Sequence, residues 1–377
     1  MRKVCAHLHD SGLLRWNSQT VEQYIEYLRA KSPVLPEAVR DLTKINLLNG
    51  IYDVEKGQLL PHSPKFLSTI QINARYNPDA TCFLWNKFLS EVLPADCRDF
   101  IFEVVAWLMV PYVGIQRAVV LTGEGANGKS LLLHAIAHFI GRQNVSSYSL
   151  SDIESGRFVA ACLYNKLVNI CTDLPSVKLR TVNKFKKITS SDLIVGEKKY
   201  RDSFEFRPFC RLIFSTNQTI ISEDVSEAFF RRILIVPFPN TFVEDPKTHR
   251  EIEDGLTSEW ELSGVLNEAL QRLPSVLERG LNIPQSVEKA TLDFRASYDP
   301  MATWLNERTV EREDWFTDTE TLYRDFVKFA GYEVLDRSSF SRKLLKLKPS
   351  LRRRRRHSRG YYGIALRPES DVIELSR

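Results

Sequence analysis

The spacing of apolar residues divides this chain into strand-like and helix-like stretches. Ala118-Val119-Val120-Leu121 is a continuous apolar run of strand length, and from Leu131 to Ile140 the spacing becomes helical, with Gly141 placed to end the helix. Upstream, Val21, Tyr24, Ile25 and Leu28 share one face of a predicted helix over Val21 to Ala30. Asn46 to Leu60 predicts short strands, with turns at Asn49-Gly50 and at Glu55-Lys56-Gly57. Asn77-Pro78-Asp79 is a turn ahead of two predicted helices, near Thr81 to Val92 and from Asp99 to Val110. Two more apolar strands are expected: Leu167 to Cys171, leading to Asp173, and Arg211 to Phe214, leading to Asn217. Between them Phe204 and Phe206 alternate after the turn-forming Arg201-Asp202-Ser203, which predicts a β-hairpin. Ile233 to Val236 reads as another strand, and beyond Pro246 the pattern turns helical, with Trp260, Leu262, Val265, Leu266 and Leu270 on one face.

The last third follows a different order. Asn282-Ile283-Pro284 reads as a linker. Thr319 to Ala330 is amphipathic, a turn follows at Gly331, and Ser338 to Lys348 predicts a second helix that Pro349 ends. Leu351 to Arg356 and Tyr361 to Leu366 then flank a turn at His357-Ser358-Arg359-Gly360. Helix, turn, helix and basic hairpin is the order of a winged helix. The expected class is α/β, in three domains. Residues 1–110 would form a small α+β module, 111–285 an α/β core with a helical lid, and 286–377 a winged-helix domain.

Composition narrows the picture only at the ends. The longest apolar run, Val104 to Ile115, is too short to span a bilayer and contains Pro111. Met1 to Asp10 carries charged residues among its apolar ones and does not read as a signal peptide. The six cysteines form no C-x-x-C pair, so reduced thiols in a cytosol-like compartment are expected. The net charge of +5 is unevenly spread: Arg337 to Arg367 holds twelve Lys/Arg and no Asp/Glu, leaving the rest acidic. A basic segment on an acidic chain suggests a partner with a phosphate backbone.

The strand at Leu121 and the helix at Leu131 are joined by Gly123-Glu124-Gly125-Ala126-Asn127-Gly128-Lys129-Ser130, spaced G-x-x-x-x-G-K-S. Strand, glycine-rich loop and helix in this order make the phosphate loop of an NTPase. Loop N–H groups and a helix N-terminus turn toward an anion, Lys129 reaches the outer phosphates and Ser130 offers a hydroxyl to Mg²⁺. Asp173 is the candidate second magnesium group, though Thr172 before it leaves the strand without paired acids and the catalytic base open. Asn217 could contact the γ-phosphate or place the attacking water. Arg231 and Arg232 are candidates for an arginine acting on a neighbouring subunit's nucleotide, with internal pairing to Glu223, Asp224 or Glu227 as the bland alternative. Lys198, Lys199 and Arg201 would crowd the hairpin tip, where cations suit a nucleic-acid backbone and Tyr200 could stack on a base. In the last domain Arg342, Lys343, Lys346 and Lys348 give the second helix a basic face, and Arg352, Arg353, Arg354, Arg355 and Arg356 would grip phosphates from the hairpin.

Taken in order, GEGANGKS, LVNICTDLP, FKKITSSDLIVGEKKY, LIFSTN and AFFRRILIVPF resemble the motifs of superfamily III helicases of the phage/plasmid and poxvirus primase–helicase type. LLNGIYDVEKGQLLPHSP and YNPDA resemble the module that precedes the helicase there, so the resemblance covers about residue 40 to the end. It implies an AAA+-like core in a hexameric ring, using ATP and Mg²⁺ to move 3′ to 5′ along single-stranded DNA during replication of a mobile element. By position it implies nucleotide binding at Gly123, Gly128, Lys129 and Ser130, magnesium at Asp173, a sensor at Asn217 and a trans-acting finger at Arg231 or Arg232. Lys198 and Lys199 would lie near a pore hairpin. The stretch before Arg40 is too short for the primase or polymerase domain of many relatives, so priming is not expected. Forked and single-stranded DNA, further copies of the chain and a separate primase or polymerase are the expected partners, in the host cytosol and without a membrane. The rival readings are an ATP-switched origin binder or loader, and a DNA-binding module whose ATPase has decayed.

Overall fold

The computed structural model describes residues 10, 18–31, 42–63, 65–66, 68–174, 181–217, 227–242, 246–297, 300–330, 335–355 and 358–367. Two compact units divide the chain: residues 1–41 with 62–69, and residues 42–61 with 70–377. The smaller unit contains helix α1 (Ser18–Lys31), on which the Tyr24 and Tyr27 rings stack with centroids 6.3 Å apart.

The larger unit opens with an antiparallel three-stranded sheet, β1 (Lys44–Leu47), β2 (Gly50–Asp53) and β3 (Gln58–Leu60). Helices α2 (Phe83–Val92) and α3 (Arg98–Leu108) follow. Every residue of α3 from Phe100 to Leu108 is buried, so this helix is surrounded on all sides. Its one buried carboxylate, Glu103, is held by Arg279 at 2.6 Å and by the Asn282 N–H at 2.6 Å.

The centre is a five-stranded parallel sheet. In chain order come β4 (Ala118–Thr122), α4 (Lys129–Ile140), β5 (Val145–Ser146), α5 (Leu150–Ser155), α6 (Val159–Cys162) and β6 (Val168–Cys171). Next are α7 (Asn183–Thr189), a hairpin of β7 (Ile194–Gly196) and β8 (Phe204–Phe206), β9 (Arg211–Thr216), α8 (Glu227–Phe230) and β10 (Ile233–Pro237). The spatial order is β10-β4-β9-β6-β5. Successive side chains leave opposite faces of a strand. Val119, Leu121, Ile213, Leu234 and Val236 therefore enter one core with α2, α3 and α4. Ala118, Val120, Leu212, Phe214, Ile233 and Ile235 enter a second, with α5 and α7. Helices cover both faces, as a parallel sheet requires.

Helices α9 (Pro246–Leu256) and α10 (Glu259–Arg279) complete the first core, α10 continuing through Pro274. Glu261 on α10 accepts the Leu84 and Trp85 N–H groups, both 3.1 Å, and so satisfies two of the open donors at the start of α2. Helix α11 (Gln285–Ser297) meets the edge strand β10, where Thr291 Oγ1 accepts the Ile235 N–H at 2.9 Å.

A third core belongs to the C-terminal elements: α12 (Pro300–Arg308), β11 (Thr309–Asp318), α13 (Thr319–Ala330), α14 (Arg337–Leu347), β12 (Arg352–Arg355) and β13 (Arg359–Leu366). Trp304, Phe326, Phe340, Leu344 and Tyr361 pack inside it. The sheet order is β11-β13-β12, antiparallel throughout. Strand β11 was not expected from the sequence; its register with β13 shifts between Arg312 and Phe316. Among the described residues, no helix is long and apolar enough to cross a membrane.

Candidate functional site

The loop from Gly123 to Gly128 joins the C-terminal end of β4 to the start of α4. Gly123 has φ 154°, and a Cβ there would meet Asn127 Nδ2 and the Phe238 carbonyl at 2.5 Å. Gly128 has φ 85°, and a Cβ would stand 2.9 Å from Val92 Cγ1. Only glycine fits either position without strain. Ala126 takes a left-handed conformation, φ 52°, between them. Beyond the loop, the Phe242 N–H donates to the Ala126 carbonyl at 2.8 Å, and the Phe238 N–H to Thr122 at 2.8 Å.

Lys129 is 5% exposed and turns back over the loop. Its ammonium donates to the Gly123 carbonyl at 2.7 Å, the Glu124 carbonyl at 2.9 Å and Asn127 Oδ1 at 2.8 Å. Asn127 is itself buried and donates to the Glu124 carbonyl. Burial lowers the Lys129 pKa, and the charge of Asp173 opposes that shift. The backbone N–H groups from Gly125 to Leu131 have no acceptor among the described residues. The loop thus presents open donors and an amine of fixed position at a helix N-terminus, a combination that favours negative charge. Glu124 and Gly125 are exposed, as is Ser130 on the first turn of α4.

Asp173 and Asn217 come to the same edge through strand register. Thr122 lies opposite Thr216 across β4 and β9, and Cys171 lies opposite Phe214 across β6 and β9. The Leu174 N–H donates to the Ser215 carbonyl at 2.9 Å, and Ser215 Oγ to the Thr172 carbonyl, which pins the segment carrying Asp173 to β9. Asp173 and Asn217 are both exposed at the strand ends. In open α/β sheets ligands bind beyond the carboxyl ends of the strands, where these residues gather with the loop.

The two arginines part company. Arg231 is exposed, whereas Arg232 is 6% exposed and directed inward. Arg232 donates to the Ala228 carbonyl at 2.5 Å and to Ser190 Oγ at 2.7 Å. Burial and the neighbouring Arg231 lower its pKa, and Asp192 opposes them. Glu223 and Asp224 lie outside the described residues, as does the side chain of Glu227. Arg117, not singled out from the sequence, donates to the Arg231 carbonyl, and its pKa is lowered by burial and by Arg231. Both arginines stand at the N-terminal end of β10, across the sheet from Lys129.

The predicted hairpin is present, with Ile194 opposite Phe206 and Gly196 opposite Phe204. Lys198, Lys199 and Arg201 are exposed in its loop, and Tyr200 is 92% exposed with φ 61°. Lys198 Nζ lies 5.2 Å from the Phe204 ring centre, and Glu197 pairs with Arg157 at 2.6 Å.

On the C-terminal elements, Asp336 caps α14 by accepting the Ser339 N–H at 2.8 Å. Arg342 and Lys346 are exposed and Lys343 is half-buried. Consecutive side chains of a strand point to opposite faces, yet Arg352, Arg353 and Arg354 on the edge strand β12 are all exposed, so neither face is covered there. The side chain of Arg355 and all of Arg356 lie outside the described residues. An open groove of about 560 Å³ is lined by Arg337, Arg342, Arg353 and Arg359 together with Asp318 and Glu320, and Arg337 pairs with Glu320 at 2.9 Å. Arg337 and Arg359 were part of the basic segment read from the sequence, but only the fold brings them to one groove.

Comparisons with known proteins agree with these motifs. Residues 14–94 match the family described as D5 N terminal like, and residues 121–232 match a family of unknown function, DUF5906. A candidate helicase of Acanthamoeba polyphaga mimivirus is 23% identical over 315 residues, which cover 73% of this chain and 32% of that protein. Primase D5 of Fowlpox virus (strain NVSL) is 25% identical over 224 residues, covering 54% of this chain and 28% of that protein. The chain thus spans about a third of the length of these curated relatives. The A form apo structure of the NrS-1 C-terminal region aligns at 13% identity with a TM-score of 0.46, covering 93% of this chain and 90% of that one. These sequence matches support a chain of the D5-like primase–helicase type.

Proposed function

We propose that this chain is the ATP-driven helicase part of a viral or mobile-element replication protein, an AAA+-like ring ATPase that moves 3′ to 5′ on single-stranded DNA. One observation carries the reading: Lys129, the open N–H groups of its loop, Asp173 and Asn217 share the carboxyl edge of one parallel sheet. The residues fit a nucleoside triphosphate. The N–H groups from Gly125 to Leu131 have no competing acceptor among the described residues and are available to an anion, and Lys129 would exchange loop acceptors for phosphate oxygens.

Ser130 and Asp173 are the groups that would hold Mg²⁺; when bound, the ion neutralises charge on the phosphate oxygens. Among the described residues no cluster of three or more His, Cys, Asp or Glu could cage a metal, which suits an ion completed by the substrate's own phosphates. Asn217 orients the attacking water through its amide. Arg231 is assigned the trans-acting role, because Arg232 is engaged internally. Arg231 lies roughly 20 Å along the strands from the phosphate loop at about 3.3 Å per residue. It cannot serve its own site, so a second copy must supply it head to tail, and a closed ring is the natural solution. The hairpin loop with Lys198, Lys199, Tyr200 and Arg201 then faces single-stranded DNA, and the C-terminal elements act as a winged helix gripping duplex through Arg342, Lys343, Lys346 and the β12 arginines. The relatives' names include a primase, and a separate primase or polymerase partner is part of the proposal.

The test is phosphate release with Mg²⁺ and ATP, with and without single-stranded DNA, beside displacement of a forked duplex. Stimulated hydrolysis with displacement supports a helicase. Hydrolysis without displacement identifies an ATP-switched loader, and nucleotide binding without turnover a decayed ATPase.

A further inference from the structure

The arginine turn and the hairpin are separate in sequence but joined in space. Arg232 follows Arg231 directly, and its guanidinium is fastened to Ser190 Oγ at 2.7 Å. Ser190 is the residue on which α7 ends, four positions before β7 begins. Ser191 beside it takes a left-handed conformation, φ 55°. Its carbonyl accepts a bond from Arg207 Nη1 at 3.3 Å, and Arg207 is the first residue after β8. Both roots of the hairpin therefore converge on the Ser190–Ser191 elbow. Arg232 holds that elbow from one side and Arg207 from the other.

The arrangement is costly for a structural bond alone. Arg232 is a buried cation without an ion pair among the described residues, and its Nε has no acceptor there. Burying a guanidinium with an unmade hydrogen bond is unfavourable, and an apolar side chain would fill the space at less expense. A rigid, directional link is what the guanidinium adds. A displacement of Arg231 on meeting an anion would move the adjoining peptide, and the Arg232 head, bonded to Ser190, would pass it on.

We infer that Arg232 and Ser190 form a mechanical joint linking the arginine turn to the DNA-facing hairpin, so that Arg232 is a positioning residue that couples hydrolysis to strand movement. The inference rests on the proposed helicase reading. It concerns coupling, not the chemistry itself.

The test compares the full chain with Ser190→Ala, Ser190→Thr and Arg207→Gln, reading basal ATP hydrolysis, its stimulation by single-stranded DNA and displacement of a forked duplex. Loss of one such bond predicts about a five-fold fall in DNA stimulation and in displacement for Ser190→Ala. Basal hydrolysis should stay within about two-fold, because Ser190 touches no part of the phosphate site. Ser190→Thr keeps the hydroxyl and should restore stimulation, while Arg207→Gln should repeat the split from the other strand. Wild-type stimulation in Ser190→Ala overturns the joint, as does an equal loss of basal and stimulated rates or failure of threonine to rescue. A wild-type chain that hydrolyses ATP without any response to DNA removes the helicase reading and the joint together. A responsive wild type with an unaffected Ser190→Ala removes the joint alone.

Discussion

Lys129 and the arginines of the C-terminal groove are cations suited to phosphate, yet they are built in opposite ways. Lys129 is buried, held by three acceptors and surrounded by a loop in which Gly123 and Gly128 cannot be replaced without collision. Arg342, Arg353 and Arg359 are exposed along an open groove. A buried charge acts through position in a low-dielectric setting, where one group can decide a rate. Exposed charges act as a field, shared among several side chains and screened by salt. On the proposed function, the contrast separates a site for one small polyanion from a surface for a long one.

The largest expected effect tests the buried side. Lys129→Ala should lower ATP hydrolysis by about 10²–10³-fold, a magnitude typical of losing one preorganised electrostatic group. Duplex affinity, measured by fluorescence anisotropy, should stay within about two-fold. A variant that still hydrolyses ATP at near the wild-type rate would remove Lys129 from the chemistry. On the exposed side, Arg342→Ala, Arg353→Ala and Arg359→Ala together should weaken duplex binding by about 10–100-fold and reduce the salt slope by about 3, near 0.9 per lost contact. Each substitution alone should have a small effect, and basal hydrolysis should not change. A single arginine carrying the whole loss would contradict the picture of a shared field.

Two smaller effects sharpen the comparison through stability. Gly128→Ala places a methyl group 2.9 Å from Val92 Cγ1 at φ 85° and should cost about 1–3 kcal/mol, seen as a lower Tm. The smallest effect concerns acid. The Thr321 hydroxyl chiefly lowers the Asp318 pKa, and the Ser339 N–H chiefly lowers that of Asp336. Carboxylates lowered in the fold contribute stability above the unfolded value of about 4, and lose it as pH falls through the folded values. Asp318→Asn with Asp336→Asn should therefore melt slightly below wild type at neutral pH, with the gap closing in acid. A gap that widens in acid would show that the caps do not act through charge.

Much of the central sheet was legible because its signals are local. The run Ala118 to Leu121, the glycine spacing and the helical period to Ile140 each need only a few neighbouring residues, and β4, the loop and α4 follow them. The hairpin was readable for the same reason, from the alternating Phe204 and Phe206 and the turn residues Arg201-Asp202-Ser203 before them. Strand β11 was not readable. Glu311-Arg312-Glu313-Asp314-Trp315 is polar without alternation, and β11 runs through it because β13 pairs with Thr309 to Arg312 on one side and with Phe316 to Asp318 on the other. The buried carboxylate Glu261 was equally silent, since its role as a cap for α2 depends on a helix about 175 residues away.

Arg231 and Arg232 mark the boundary between the two kinds of information. The order of residues along the chain was sufficient for a glycine-rich loop between strand and helix, for strands leading to Asp173 and Asn217 and for a basic terminal segment, because propensity, glycine geometry and charge are properties of short stretches. It could not say which adjacent arginine faces outward, which basic residues share a groove or that Ser190 meets Arg232. Those depend on parallel register and on which side chains share a core, and such contacts join residues tens to hundreds of positions apart.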